Sequence, residues 1–201
     1  MENILILKNI FEETKKDYNN IIIIDVESTC WKDDKDKKDQ QSEIIEIGIC
    51  QINDGVLIKR PSIFIIPEHS TVSPFCTSLT SLTQNQIEKN GLTPKLAYNK
   101  LQKEFIYNTW GSYGEYDKNM IIKMLELYKL PNILPNKHIN IRKVASEVLK
   151  KSENPKDVPS NPKETLELVG LKFKGKNHRG DDDAYNIANL YVKLRSIKKW
   201  L

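Results

Sequence analysis

Ile21-Ile22-Ile23-Ile24-Asp25-Val26-Glu27-Ser28-Thr29 runs from four consecutive isoleucines into two carboxylates one residue apart. A continuous β-branched run is the signature of a central strand buried on both faces. A strand covered on both faces needs layers above and below it, which places the chain among α/β folds with helices packed on a sheet. Along a strand, residues i and i+2 point to the same side. Asp25 and Glu27 therefore leave the strand end together, where they can share or bridge a cation. Strands also end in polar residues without chemistry, so the pair needs company before it means a site.

Outward from this strand, residues 1–19 read as a short helical lead-in, with Ile4, Leu7, Ile10 and Phe11 on one loose stripe. Residues 33–41 are almost wholly charged or polar and read as an exposed, flexible loop. Residues 44–52 and 56–66 read as two strands joined into a hairpin at Asn53-Asp54-Gly55. Thr83-Gln84-Asn85-Gln86 is a capping box. Thr93-Pro94 is an N-cap followed by proline at the first helical position. Residues 106–110 read as a fourth strand, and 117–129 and 139–149 as helices. A proline-bearing loop over 152–162 leads to a helix capped at Asn161-Pro162. A last helix is expected from about Asp183, with Ala184, Ile187, Leu190, Leu194 and Ile197 on one face. There is no internal repeat and no interdomain linker.

Two further segments carry acids. Asp117 stands in Tyr113-Gly114-Glu115-Tyr116-Asp117, at a helix start, where an aspartate also serves as an ordinary cap. Glu115 is an alternative acid beside it. His178 and Asp183 stand in His178-Arg179-Gly180-Asp181-Asp182-Asp183-Ala184, one of only three histidines in the chain next to three consecutive aspartates. A histidine beside gathered carboxylates is suited to moving a proton near neutral pH. Carboxylates from three distant segments gather in a dry pocket only if cations hold them, which points to two-metal phosphoryl chemistry.

The 201 residues fit one domain, and 39% apolar with 29% charged residues suits a soluble protein with a substantial core. No apolar run approaches the roughly 20 residues that span a bilayer, and no basic leader opens the chain. Cys30, Cys50 and Cys76 are odd in number and lack CxxC spacing. A zinc site or a disulfide framework is therefore not expected, and a cytoplasmic location is. The net charge of +4 leaves the surface away from the acids more basic than the total, a field that steers polyanions.

Together the motifs resemble those of DEDDh-type 3′-to-5′ exonucleases, the group that includes ribonuclease T and proofreading exonuclease subunits. Residues 25–31 are similar to the first motif of the branch holding enhanced-RNAi and histone-mRNA exonucleases and bacterial KapD-like proteins, with Ser28 where alanine is usual. Residues 43–48 resemble the strand that follows. Residues 73–80 resemble a segment near the substrate's 3′ end, residues 113–117 the second motif and residues 178–188 the third. Asp181 departs from the pattern, which has an aliphatic residue there. The resemblance implies a ribonuclease H-like α/β fold, a central mixed five-stranded sheet flanked by helices, as one exonuclease domain over residues 20–201.

It also implies roles. Asp25, Glu27 and Asp183 would hold one Mg²⁺ or Mn²⁺, Asp25 and Asp117 a second, and His178 would act as general base on the attacking water. The expected substrate is the 3′ end of single-stranded RNA or DNA, RNA favoured, with nucleoside 5′-monophosphates as products. Ser28, Thr29, Thr77, Leu79, Thr80, Tyr113, Lys176 and Arg179 are the candidate substrate contacts, Leu79 as an apolar wedge on the terminal base. Lys172, Lys174 and Lys176 would share one strand face toward phosphates. Trp31, Tyr113 and Tyr116 either stack on bases or belong to the core. Activity is expected to rise with pH through roughly 6 to 8 as His178 loses its proton. The rival readings are a catalytically silent nucleic-acid-binding or protein-binding regulatory module of the same fold, and a metal phosphatase acting on small phosphoesters.

Overall fold

The structure, a computed structural model, describes residues 19–198. The expected lead-in over residues 1–19 lies outside that range except for its last residue. Strand β1 (Ile21–Ser28) is central in a five-stranded sheet of order β3-β2-β1-β4-β5. β2 (Ile44–Asn53) and β3 (Val56–Phe64) form the expected hairpin and pair antiparallel with β1 and with each other. Its turn is the two-residue loop Asp54-Gly55, both at positive φ (48° and 82°), the geometry whose twist matches paired strands. β4 (Thr109–Ser112) and β5 (Lys137–Asn140) add parallel strands on the other side. The mixed sheet with flanking helices is the expected ribonuclease H-like fold.

Helices follow from their caps. α1 (Asp34–Lys37) is a single turn capped by Asp33, so the charged stretch contains a helical turn within the expected loop. α2 (Pro74–Thr80) is capped by Ser73, and α3 (Gln84–Asn90) carries the complete Thr83/Gln86 capping box. α4 (Pro94–Glu104) starts at Thr93-Pro94 as read. α5 (Tyr116–Leu127), α6 (Ile141–Lys150), α7 (Pro162–Leu168) and α8 (Gly180–Lys198) complete the described set.

Three readings shift. The fourth strand lies at 109–112 instead of 106–110, because Ile106 is exposed while Trp110 is buried. Residues 137–140 are a strand, and the helix read over 139–149 begins only at Ile141. Residues 171–179 are irregular, so Lys172, Lys174 and Lys176 share no strand. Asn186 on α8 holds that segment instead, its amide spanning the Lys174 backbone N–H and C=O at 2.9 and 2.7 Å.

The isoleucine run packs on both sides, as its composition demands. Ile22, Ile24 and Val26 pack with Trp110 and the α4 and α5 side chains, whereas Ile21 and Ile23 pack with α6 and α8. Fully burying an isoleucine side chain stabilises by roughly 1.5–3 kcal/mol. Four of them anchor β1 firmly enough to hold mutually repelling acids at its end.

Candidate active site

Asp25 and Glu27 continue the strand face begun by Ile21 and Ile23, so they emerge beneath the N-terminal end of α8. Asp183 stands in the first turn of that helix. One oxygen each from Asp25, Glu27 and Asp183 lies within 4.8 Å of the other two. Asp117, in the first turn of α5, reaches the strand end as well, and its Oδ1 accepts the Val26 backbone N–H at 2.9 Å. β4 pairs with β1 only at Ile22 and Ile23. The Asp117 carboxylate thus takes over where the parallel ladder stops. The four acids and His178 line one cavity of about 330 Å³.

Burial is the largest influence on each acid. It drives Asp25 well above the usual carboxylate range, reinforced by the charges of Asp117, Asp183, Glu27 and Glu46. Burial and then Asp183 push Glu27 up to about 8. Asp183 rises to about 7 and Asp117 to about 6, both by burial and both partly relieved by backbone N–H donors. Such groups ionise together only when positive charge joins them. The donor set is three close carboxylates without sulfur. Hard oxygens suit a divalent cation of the magnesium or manganese kind. Cys30 also lines the cavity, but its hydrogen bond with Cys76, followed by burial, raises its thiol and keeps it protonated.

The loop bearing His178 is held from beneath. Glu46 on β2 is fully buried, opposite Glu27 in register. It accepts from Arg179 Nε (3.2 Å), the Gly180 N–H (3.2 Å) and Ser62 Oγ (2.6 Å). Gly48, the register partner of Asp25, lets α8 approach. A Cβ there would fall 1.8 Å from the Gly180 carbonyl carbon and oxygen. Asp183 Oδ2 accepts the Arg179 N–H at 3.0 Å, which orients the carboxylate. His178 itself sits at φ 61° and is half-buried, and burial lowers its pKa below the ordinary histidine value.

Of the expected substrate contacts, Ser28, Leu79 and Tyr113 line the cavity. The Tyr113 hydroxyl meets Thr165 Oγ1 and donates to the Pro159 carbonyl, both at 2.6 Å, which brings the 152–162 loop to the cavity wall. Tyr116 lines it too, its hydroxyl 2.7 Å from Ser28 Oγ. The others lie outside that lining. Thr29 is fully buried against Ser70 and the Glu43 N–H. Thr80 is fully buried, donating to the Cys76 carbonyl and accepting from the Leu82 N–H. Thr77 donates to the Leu82 carbonyl. Arg179 is engaged by Glu46, and Lys176 is exposed outside the cavity lining. Glu115, the alternative acid, bonds Asn140 Nδ2 (2.9 Å) and faces Lys118, away from the acids. The unusual Asp181 is turned to Lys59 on β3 at 2.9 Å and does not join the close carboxylate group.

The sequence reading missed Glu46, Ser160 and Pro162. The last two line the cavity from the loop before α7. A glutamate flanked by Ile45 and Ile47 in an apolar strand was the signal for Glu46, because a buried carboxylate requires a partner.

The family profile described as Exonuclease, of the ribonuclease T type, matches residues 22–191. The chain is 30% identical to human 3′-5′ exoribonuclease 1 across 88% of its own length and 52% of that protein. It is 29% identical to ERI1 exoribonuclease 2 of Xenopus laevis across 88% of its length and 28% of that protein. The chain thus spans about a quarter to a half of these relatives. Among solved structures, the nuclease domain of 3′hExo, a DEDDh family member, bound to rAMP, superposes with a TM-score of 0.74 at 27% identity, covering 91% of this chain and 94% of that one. Exonuclease I of E. coli in complex with an oligonucleotide shares the fold, with a TM-score of 0.69 at 10% identity over 90% of this chain and 42% of that one. With most of its length matched by the profile and the acids gathered at one strand end, the chain belongs to this exonuclease family.

Proposed function

We propose that the chain hydrolyses the 3′-terminal phosphodiester of single-stranded nucleic acid, RNA in preference to DNA, releasing nucleoside 5′-monophosphates. The observation that carries this is the convergence of Asp25, Glu27, Asp117, Asp183 and His178 on one cavity. Asp25, Glu27 and Asp183 would hold one divalent cation, and Asp25 with Asp117 a second, Mg²⁺ or Mn²⁺. When bound, such ions neutralise the acids, polarise the attacking water and stabilise the leaving 3′ oxygen. The preference for RNA rests on relatives named as exoribonucleases.

The chain's own residues do the rest. His178, neutral at pH 7 because burial lowers its pKa, takes the proton of the attacking water on its free ring nitrogen. Glu46 and Gly48 fix the loop that carries it. Leu79, 38% exposed at the cavity rim, offers an apolar surface to the terminal base, and Tyr113 and Ser28 line the same cavity. A digestion panel tests the proposal: single-stranded and duplex RNA and DNA, labelled at either end, with Mg²⁺, Mn²⁺ or chelator. Metal-dependent release of mononucleotides from 3′ ends is expected. Hydrolysis of small phosphoesters without digestion of oligomers would assign the site to a phosphatase instead.

A further inference from the structure

Ser112, the last residue of β4, is fully buried, and its hydroxyl has one proton to give and several acceptors around it. It is one of the donors that hold the Asp117 carboxyl down against the effect of burial. It also lies 3.1 Å from the Gly114 carbonyl oxygen and 3.0 Å from Nε2 of His138. His138 stands on β5 opposite Trp110 in register. Trp110 and Ser112 share one side of β4, so the histidine ring reaches the serine on the diagonal. That ring is 4.4 Å from the Trp110 ring, and only 9% of the side chain is exposed. On its far side, Nδ1 is 3.9 Å from Glu115 Oε2, too far to hydrogen-bond. Glu115 has nearer partners, Asn140 Nδ2 at 2.9 Å and Lys118 Nζ at 3.6 Å. Neither Ser112 nor His138 lines the acid cavity, and neither has a part in the chemistry described above.

We propose that His138 is a positioning residue for Asp117 and acts through Ser112: its Nε2–H donates to Ser112 Oγ, which turns the serine proton onto the Asp117 carboxylate. This rests on the reading of Asp117 as a ligand of the second cation. Counting protons fixes the direction. Burial lowers His138 to about 4, so at neutral pH the ring has a single N–H. Placed on Nδ1, that proton would face Glu115 across a gap too wide to bond, and Nε2 would then draw the Ser112 proton away from Asp117. Placed on Nε2, it occupies Ser112 Oγ as acceptor and leaves the serine proton for the carboxylate. An ionised oxygen is a stronger acceptor than the Gly114 carbonyl or a neutral imidazole. Asp117 then has the Val26 N–H on Oδ1, at 2.9 Å, and the serine hydroxyl as donors, so its carboxylate is oriented before a cation arrives. Docking of β5 alone would be served by either tautomer of the ring. Only the Nε2–H form gives Asp117 its second donor. Hydrogen bonds behind a metal ligand are worth about 10–100-fold in affinity for the ion.

Calorimetric titration of the full chain with Mn²⁺ tests the proposal. Ser112→Ala should weaken the second Mn²⁺ about tenfold and leave the first, held by Asp25, Glu27 and Asp183, unchanged. His138→Phe, which keeps a ring against Trp110, should weaken the same second cation. Added to Ser112→Ala, it should weaken it no further, because both changes break one chain of contacts. An additional loss in the double variant would show that His138 acts by packing and would overturn the proposal, as would equal weakening of both cations by Ser112→Ala. Long-range ¹H–¹⁵N spectra of the parent give an independent readout. The His138 proton is expected on Nε2 at pH 7, and a proton on Nδ1 would overturn the proposal. Asp117→Asn separates this from the reading beneath it. If that variant binds Mn²⁺ as the parent does, Asp117 is no ligand and the proposal falls with that reading. If it loses the second cation while Ser112→Ala keeps it, the proposal alone is overturned.

Discussion

His178 draws its usefulness from the same dryness that makes the acids costly. Desolvation opposes charging of the imidazole as it opposes charging of a carboxyl, so the lowered pKa leaves the neutral base in place at pH 7. The rising limb of activity should accordingly fall below the ordinary histidine value of about 6.5, and kcat should level off by about pH 7. That is lower than the range of 6 to 8 expected when the residue is read without its surroundings. His178→Ala should lower kcat by roughly 10²–10⁴-fold and abolish this limb. A kcat profile recorded from pH 5 to 8 for both proteins checks it, and an unchanged limb in the variant would assign the titration to another group. The identities of the acids were legible because each stands in a motif with few other uses in combination. The partner of Arg179 was not legible, because Glu46 lies 133 positions away in the chain.

At the scale of elements, the site depends on one close crossing, α8 over β2. Gly48 and Gly180 meet backbone to backbone, and this contact sets how far Asp183 stands from Asp25 and Glu27. Gly48→Ala would force the helix start away, because backbone atoms cannot yield as a flexible side chain does. A loss of about 3 kcal/mol in stability is expected, with a larger proportional loss of metal affinity than of fold. Chemical denaturation and metal titration of the variant measure the two separately; wild-type metal affinity in a destabilised variant would show that the crossing does not set the site. Sequence located the elements that announce themselves by pattern or cap. β1 is a pure β-branched run, and α3, α4 and α7 begin at recognisable caps. β5 escaped because Lys137-His138-Ile139-Asn140 is a short edge strand, half-buried throughout and continuous with a helix. The lysine alternation at 172–176 imitates a strand, but Gly175 at φ 88° and the Asn186 clamp turn that segment along α8 instead.

Taken over the whole molecule, the cluster makes stability depend on pH and on divalent cations together. An acid whose pKa is higher in the folded state than in the unfolded chain binds more protons when folded, so stability falls as pH rises between the two values. Unfolded Asp and Glu titrate near 4, while Asp183 and Glu27 titrate at about 7 and about 8 in the fold. Two histidines act in the opposite sense at lower pH. His138, lowered to about 4 by burial, and His178, also lowered, are protonated in the unfolded chain below about 6.5 and neutral in the fold, so they favour folding as pH rises toward that value. Above about 6.5 both are neutral in either state; Cys76, lowered to about 7 chiefly by its hydrogen bond with Cys30, then favours folding as pH rises, one group against the raised Asp25, Glu27 and Asp183. In chelator, the unfolding temperature should therefore fall between about pH 6.5 and 8. Mg²⁺ or Mn²⁺ should reverse the fall, raising the midpoint more at pH 8 than at pH 6.5, since cations bind the ionised acids and stabilise the fold by mass action. Asp25→Asn should be more stable than the parent at pH 8 in chelator and should respond less to metal, having one less repelling charge and one less ligand. Thermal unfolding of both proteins across this range, with and without metal, decides the matter. A midpoint that is flat or rises with pH in chelator would mean that the acids share their strain with positive charge from the chain itself, and that no ion is needed to keep them together.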